Sequence, residues 1–268
     1  MKFSSTITAA ALFVVTLFTI TASVGYAGTI RLGMTPEPYM PFTQINQAGV
    51  WEGFEADLTQ AVFEKMGMDH KINQMAWEGL IPSLTANKVD FIIGAFSITE
   101  ERRKVVDFSI SYYTAPSVFV GMKSDKAKFS DKTAADKKGM VVDTKGLSKK
   151  VIGVQNASIQ ASYVEKYLGK VDSKSYPAAD NAIADLTAGR IDYVFMDFQY
   201  IKAFLDSKDG TDYEVKHEAP ANAILGEGIG YAVRKGDKAT LDKIDAALVD
   251  LEKDGSLDIM VQKWFPSK

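Results

Sequence analysis

Phe54, Leu58, Val62 and Met66 recur every four residues, which places one apolar stripe on a helix that Gly67 would end. Before it, residues 29–33 alternate apolar and polar side chains and predict a strand. After it, residues 71–75 predict a second strand, and Leu80, Ile81 and Leu84 mark a helix over 77–86. Residues 89–95 (Val-Asp-Phe-Ile-Ile-Gly-Ala) are nearly continuously apolar, as expected of a strand buried on both faces. The same grammar returns later in the chain. Residues 151–155 read as a strand, Ile159, Tyr163 and Tyr167 as a helix stripe, and Ala182, Ile183 and Leu186 as another. Residues 191–196 form a second buried strand, followed by a helix through Ile201, Phe204 and Leu205. Leu241, Ile244, Leu248 and Leu251 give an amphipathic helix behind an Asp237 cap. A βαβαβ order occurring twice predicts two α/β units with parallel sheets.

Residues 123–150 break this rhythm. They are rich in Lys, Asp, Ser and Thr and read as an exposed excursion, a surface loop near a boundary.

Composition narrows the chemistry. The 268 residues carry 31 Lys+Arg against 34 Asp+Glu, with no basic cluster, so nucleic acid is not an expected partner. Without a single cysteine there are no disulfides, thiolate metal sites or Cys nucleophiles, and only His70 and His217 supply imidazoles. Neither a metal nor a cofactor is expected. Lys2, an apolar run over residues 7–24 and Gly25-Tyr26-Ala27 describe a secretory signal peptide cut after Ala27, hence an exported, periplasmic protein.

The residues able to do chemistry gather at strand ends. Ser97-Ile98-Thr99-Glu100-Glu101-Arg102-Arg103 follows the buried strand directly. Ser97 with Glu100 fits a capping box, and free N–H groups, a hydroxyl and a guanidinium together suit a carboxylate. Spacing alone leaves open which of Arg102 and Arg103 points inward. Asp197 closes the second buried strand, where it either binds an ammonium or caps the helix at Phe198. Residues 153–158 read as strand, turn and helix start, without the glycine spacing or Lys of a phosphate loop. Glu37-Pro38-Tyr39-Met40-Pro41-Phe42 and Trp77 offer aromatic surface after the first strand and before a helix.

Taken in order, Gly53-Phe54-Glu55-Ala56-Asp57-Leu58, Trp77-Glu78-Gly79-Leu80-Ile81-Pro82-Ser83-Leu84, the 97–102 stretch and Ile229-Gly230-Tyr231-Ala232-Val233-Arg234-Lys235-Gly236-Asp237 resemble the periplasmic polar-amino-acid-binding proteins of ABC importers, the lysine/arginine/ornithine, histidine, glutamine and opine receptors. The resemblance implies a two-lobe, type II periplasmic binding protein fold. Each lobe is then a mostly parallel sheet flanked by helices, with two hinge crossings. Lobe 1 would be residues 28–115 plus 223–268, and lobe 2 residues 116–222. It assigns Arg102 to the ligand α-carboxylate, helped by Ser97 and by backbone around Ala95 and Ser158. Asp197 would take the α-ammonium, and Tyr39, Trp77 and Phe96 would flank the side chain. Glu37 lies where relatives carry groups that recognise the ligand's side chain, and with the aromatics it could surround a cation, which favours a basic amino acid or opine. Ala157-Ser158-Ile159 stands where many relatives have Gly-Thr-Thr. The expected partners are that amino acid and an inner-membrane permease, and the protein is expected to be a monomer. An enzyme reading on the same fold, a periplasmic cyclohexadienyl or arogenate dehydratase, would need a cleft acid, for which Glu37 or Glu227 are the candidates.

Overall fold

The computed structural model describes residues 29–137 and 139–266, so the predicted leader, residues 1–27, lies outside the described residues. In chain order the first half contains β1 (Ile30–Met34), the short pair β2 (Gln44–Ile45) and β3 (Trp51–Glu52), α1 (Phe54–Met66), β4 (His70–Gln74), α2 (Leu80–Thr85), β5 (Phe91–Ile92), α3 (Glu100–Arg103) and β6 (Val106–Phe108). The second half follows with β7 (Ser117–Met122), β8 (Asp131–Thr133), β9 (Met140–Val142), β10 (Val151–Gln155), α4 (Ile159–Tyr167), β11 (Asp172–Tyr176), α5 (Ala179–Thr187), β12 (Tyr193–Asp197), α6 (Phe198–Asp206) and β13 (Tyr213–Glu218). The chain then returns to the first sheet with β14 (Ala232–Arg234) and ends in α7 (Lys238–Lys253) and α8 (Ser256–Trp264).

The strands make two five-stranded sheets of the same design, ordered β4-β1-β5-β14-β6 and β11-β10-β12-β7-β13. In the first, β1 pairs in parallel with β4 and β5, while β14 lies antiparallel between β5 and β6. In the second, β10 pairs in parallel with β11 and β12, while β7 lies antiparallel between β12 and β13. Four strands of each sheet therefore run one way and one runs against them. The reversed strand is in each case the one by which the chain enters from the other lobe. The expected two-lobe α/β fold is present, and its mostly parallel sheets carry this one exception each.

Both sheets are covered on both faces, as parallel strands require. In lobe 1, Ile30, Leu32, Met34 and Phe91 pack against Leu58 and Val62 of α1 and Leu248 of α7, while Ile92 faces Leu80 and Leu84 of α2. In lobe 2, Val154 and Phe195 pack on Tyr163 of α4, and Val194 and Met196 on Ala182 and Leu186 of α5. The two crossings run beside each other. Tyr112 N–H donates to Ile229 O at 2.9 Å and Ile229 N–H to Tyr113 O at 2.7 Å. The Gly226–Gly230 stretch is pinned at Ile229 between Ser97 and Tyr113.

The 123–150 excursion is not a plain surface loop. It holds the β8–β9 hairpin, and Ala134, Val141, Val142 and Leu147 are buried in the lobe 2 core with Phe119 and Tyr163. Tyr163 Oη accepts the Val142 N–H at 2.9 Å, while Lys150 joins the two ends of the excursion by binding Asp125 at 2.7 Å and reaches Asp192 of the lobe at 3.1 Å. A handful of buried apolar residues outweighs the polar majority because each is fully withdrawn from water.

The helix α1 starts from Gly53, whose φ of 122° and ψ of 174° suit glycine alone. A Cβ there would sit 2.4 Å from Phe42 O, inside the turn that lets Phe54 and Glu55 donate to Pro41 O and Phe42 O. Gly53→Ala is expected to destabilise the protein by about 2 kcal/mol or more, from backbone strain and this clash. Urea unfolding should show the loss as a lower midpoint with an unchanged slope.

Candidate functional site

The expected site residues converge where the carboxyl ends of β1, β5, β10 and β12 face each other between the lobes, the customary place for a ligand in open α/β sheets. The cleft is lined from lobe 1 by Tyr39, Trp77 and Arg102 and from lobe 2 by Gln155, Ser158 and Asp197.

Arg102, not Arg103, points inward. It is 9% exposed, whereas Arg103 lies outside and pairs with Glu227 at 3.7 Å. The helix carrying it starts later than the capping-box reading expects. Ser97 is extended and bridged to Ile229, so the cap falls to Thr99, whose hydroxyl accepts the Arg102 N–H at 3.1 Å. The Arg102 guanidinium donates to Ser97 O at 2.8 Å and across the cleft to Ala157 O at 3.4 Å. No ion pair reaches it among the described residues. Burial pushes its pKa down to about 10, opposed by the Asp197 charge.

Phe96 occupies a different place from the one expected. It is buried rather than lining the cleft, with its ring 4.1 Å from the Arg102 guanidinium carbon, and Trp77 lies 5.7 Å away on the cleft side. Rings flanking the guanidinium stabilise it without neutralising it. Phe96 is thus a backing for the cation, stacked in turn on Phe108.

Asp197 is 5% exposed and makes no cap bond to the helix it precedes. Instead its Oδ2 accepts the Tyr39 hydroxyl of the opposite lobe at 2.9 Å, and its Oδ1 accepts Gln160 Nε2 at 2.7 Å. Gln160 also donates to Ser117 Oγ at 2.9 Å. Burial raises the Asp197 carboxyl to about 6, against the lowering effect of these donors and of Arg102. Tyr39 stacks face to face on Tyr200 of lobe 2, 4.1 Å between centroids and 3° between planes.

Two alanines at the site have left-handed backbone, Ala95 in lobe 1 and Ala157 in lobe 2, both at φ 52°. Such strain needs support. Ala157 O takes the Arg102 bond, and Ala95 N–H donates at 2.8 Å to Glu55 Oε1. The Ala95 N–H is therefore committed inside the protein. Ser158, expected to offer backbone to the ligand, caps α4 with its hydroxyl, which accepts the Ala161 N–H at 3.0 Å. Glu37 lines the cleft from lobe 1 and is exposed. Glu227, the alternative acid, does not line it.

Sequence reasoning missed Glu55, Gln160, Asp180 and Tyr200. Glu55 is 0% exposed and accepts from Ala95 N–H and from Tyr112 Oη at 2.5 Å, while its Oε2 has no partner. Burial lifts it to about 7. Only the polar register of α1, an acid facing the stripe side beside Phe54 and Leu58, could have signalled this. Among the described residues no cluster of three metal-ligating side chains occurs.

Residues 30–267 match the model of the bacterial extracellular solute-binding proteins, family 3. The chain belongs to that family. It is 33% identical to ABC transporter arginine-binding protein 1 of Escherichia coli K12 over 93% of this chain and 95% of that protein. It is 31% identical to the histidine-binding periplasmic protein of Salmonella typhimurium LT2 over 88% and 87% of the two chains. A solved ancestral arginine-binding protein bound to arginine superposes with a TM-score of 0.76 at 32% identity, covering 89% of this chain and 98% of that one. This family-3 chain has the cleft between lobes described above.

Asp197 and Glu55 both have carboxyls raised above their unfolded values, so the native state binds their protons more tightly. They favour folding most at acid pH, and that contribution is lost as pH rises from about 4 through their native values of about 6 and 7. Asp197→Asn is accordingly expected to raise the stability of the ligand-free protein at pH 7 by about 1–2 kcal/mol, with little change at pH 4.5. Thermal melts at the two pH values check it.

Proposed function

We propose that this family-3 protein is a non-catalytic receptor, exported to the periplasm after cleavage behind Ala27, that captures a basic amino acid or opine between its lobes and delivers it to an ABC permease in the inner membrane. The observation that carries the reading is the buried Arg102, which has no ion-pair partner among the described residues, set across the cleft from the buried Asp197. One free amino acid supplies both missing charges: its carboxylate to Arg102 and its ammonium to Asp197. Ser97, Ala95 and Ser158 border the same space, and Tyr39 and Trp77 wall it. The similarity to proteins named for arginine and histidine binding supports a basic ligand.

The division into residues 28–115 with 223–268, and 116–222, places both crossings between β6 and β7 and between β13 and β14. Rotation about these paired segments would open and shut the cleft. The zwitterion favours the shut form because it touches Arg102 from one lobe and Asp197 from the other. The dehydratase reading has less support. Glu227 lies at the rim against Arg103, and Asp197 receives a donor on each oxygen, the arrangement of an ionised acceptor rather than a proton donor.

Calorimetry with arginine, lysine, ornithine and glutamine tests the proposal. Tight binding of a basic amino acid is expected, and Arg102→Ala should weaken it by roughly 2–5 kcal/mol, since the ligand carboxylate would be left without its counter-ion. Normal affinity in Arg102→Ala would refute the assignment. The protein should leave prephenate and arogenate unconsumed; turnover of either would move the reading to the enzyme.

A further inference from the structure

The charged residues bordering the cleft do not balance. They are one cation, Arg102, and three carboxylates, Asp197, Glu37 and Asp180. An amino acid's own carboxylate and ammonium match Arg102 and Asp197 and leave Glu37 and Asp180 over. Both are exposed, and neither makes an ion pair among the described residues; the Glu37 carboxylate accepts no hydrogen bond there, and Asp180 accepts only the one from Tyr200. They stand on opposite lobes, Glu37 in the segment after β1 and Asp180 in the first turn of α5.

Asp180 is also aimed. The Tyr200 hydroxyl, on a ring that is 7% exposed, donates to its Oδ1, and burial together with this carboxylate holds that hydroxyl protonated far above the usual tyrosine range. The same ring stacks on Tyr39, whose hydroxyl engages Asp197. The two aspartates of lobe 2 are therefore joined through a pair of stacked rings. An acid in a helix's first turn is favourable in any protein. That alone does not account for a buried tyrosine spending its hydroxyl on it, nor for its place on the cleft wall.

We propose that Asp180, steered by Tyr200, is the specificity-determining residue for the ligand's side chain, and that it closes with Glu37 from the opposite lobe on a cationic terminus. This rests on the receptor reading above and names the group that makes it selective for a cation. Because Asp180 and Glu37 stand on opposite lobes, the side-chain charge completes its contacts only when the cleft shuts. The stacked rings set the spacing between the ammonium subsite and the side-chain subsite, so the site reads length as well as charge.

The test is the ratio of affinities for arginine and citrulline, near-isosteres that differ in having a guanidinium or a neutral urea. Titrations use the wild-type protein and the Asp180→Asn, Glu37→Gln and Tyr200→Phe variants. Wild type is expected to prefer arginine by about 100-fold or more, and Asp180→Asn to cut arginine affinity by about 30-fold while leaving citrulline within about threefold, so that the ratio collapses. Tyr200→Phe should lower the ratio less, with both ligands still bound. A merely structural role for Asp180 would weaken both ligands alike. An unchanged ratio in Asp180→Asn, with arginine still tightly bound by wild type, would overturn this proposal and leave the receptor reading intact. A wild type that prefers citrulline or glutamine to every cationic amino acid would overturn the basic-ligand reading and this proposal with it.

Discussion

A guanidinium removed from water with no carboxylate beside it is the condition around which this molecule is arranged. Leaving Arg102 unpaired costs stability, and the surrounding structure softens that cost without cancelling it. Ser97 O and Ala157 O accept its hydrogens, and Phe96 and Trp77 place their rings against it. None of these groups carries a negative charge. Asp197 is in the converse position, supplied with hydroxyl and amide donors but no cation. The cleft thus sets two opposite charges on two lobes, close enough to feel each other but with no ion pair between them among the described residues.

The backbone around these charges is held in place locally. Ala95 and Ala157 show how. Each is a left-handed residue with a Cβ, a conformation that would relax if nothing opposed it. Glu55 opposes it from below in lobe 1, reaching out of the first turn of α1 to the Ala95 N–H. Arg102 does so from the opposite lobe at Ala157. One turn is braced from within its own lobe, the other by Arg102 of the facing lobe, so the second depends on how closely the lobes approach.

Much of this was readable along the chain, and the unread part has a common cause. The helix of Phe54–Met66 ends at a left-handed Gly67, as its stripe and its glycine require, and Asp197 closes the buried β12 while Arg102 sits in the short helix that follows β5. Glu55 looked like an ordinary acid in a helix's first turn; its burial depends on Ala95, 40 residues away, and Tyr112, 57 away. The Tyr39–Asp197 contact spans 158 residues, and the Asp180–Tyr200 contact joins two helices with no shared periodicity. Phe96, expected beside the ligand's side chain, is buried behind Arg102, and one apolar residue beside a strand end carries no sign of which face it takes. Polar composition hid the β8–β9 hairpin, whose few buried residues are outnumbered by charged neighbours. Local patterns reported the elements; partners distant in sequence escaped them.

The reversed strand in each sheet has a bearing on how the chain becomes a protein at all. Strand β14 lies between β5 and β6, so until residues 232–234 arrive the first sheet is two unjoined pieces with the edge of β5 bare. The second sheet is drawn entirely from residues 117–218 and can be assembled from one uninterrupted stretch. A chain emerging from its N-terminus therefore finishes its second lobe before its first. The half that begins the sequence waits, with apolar strand surface uncovered, for contacts some two hundred residues downstream, where loop closure is slowest and stray pairing most hazardous. An interval of that kind favours a passage in which the whole chain is kept extended and released together.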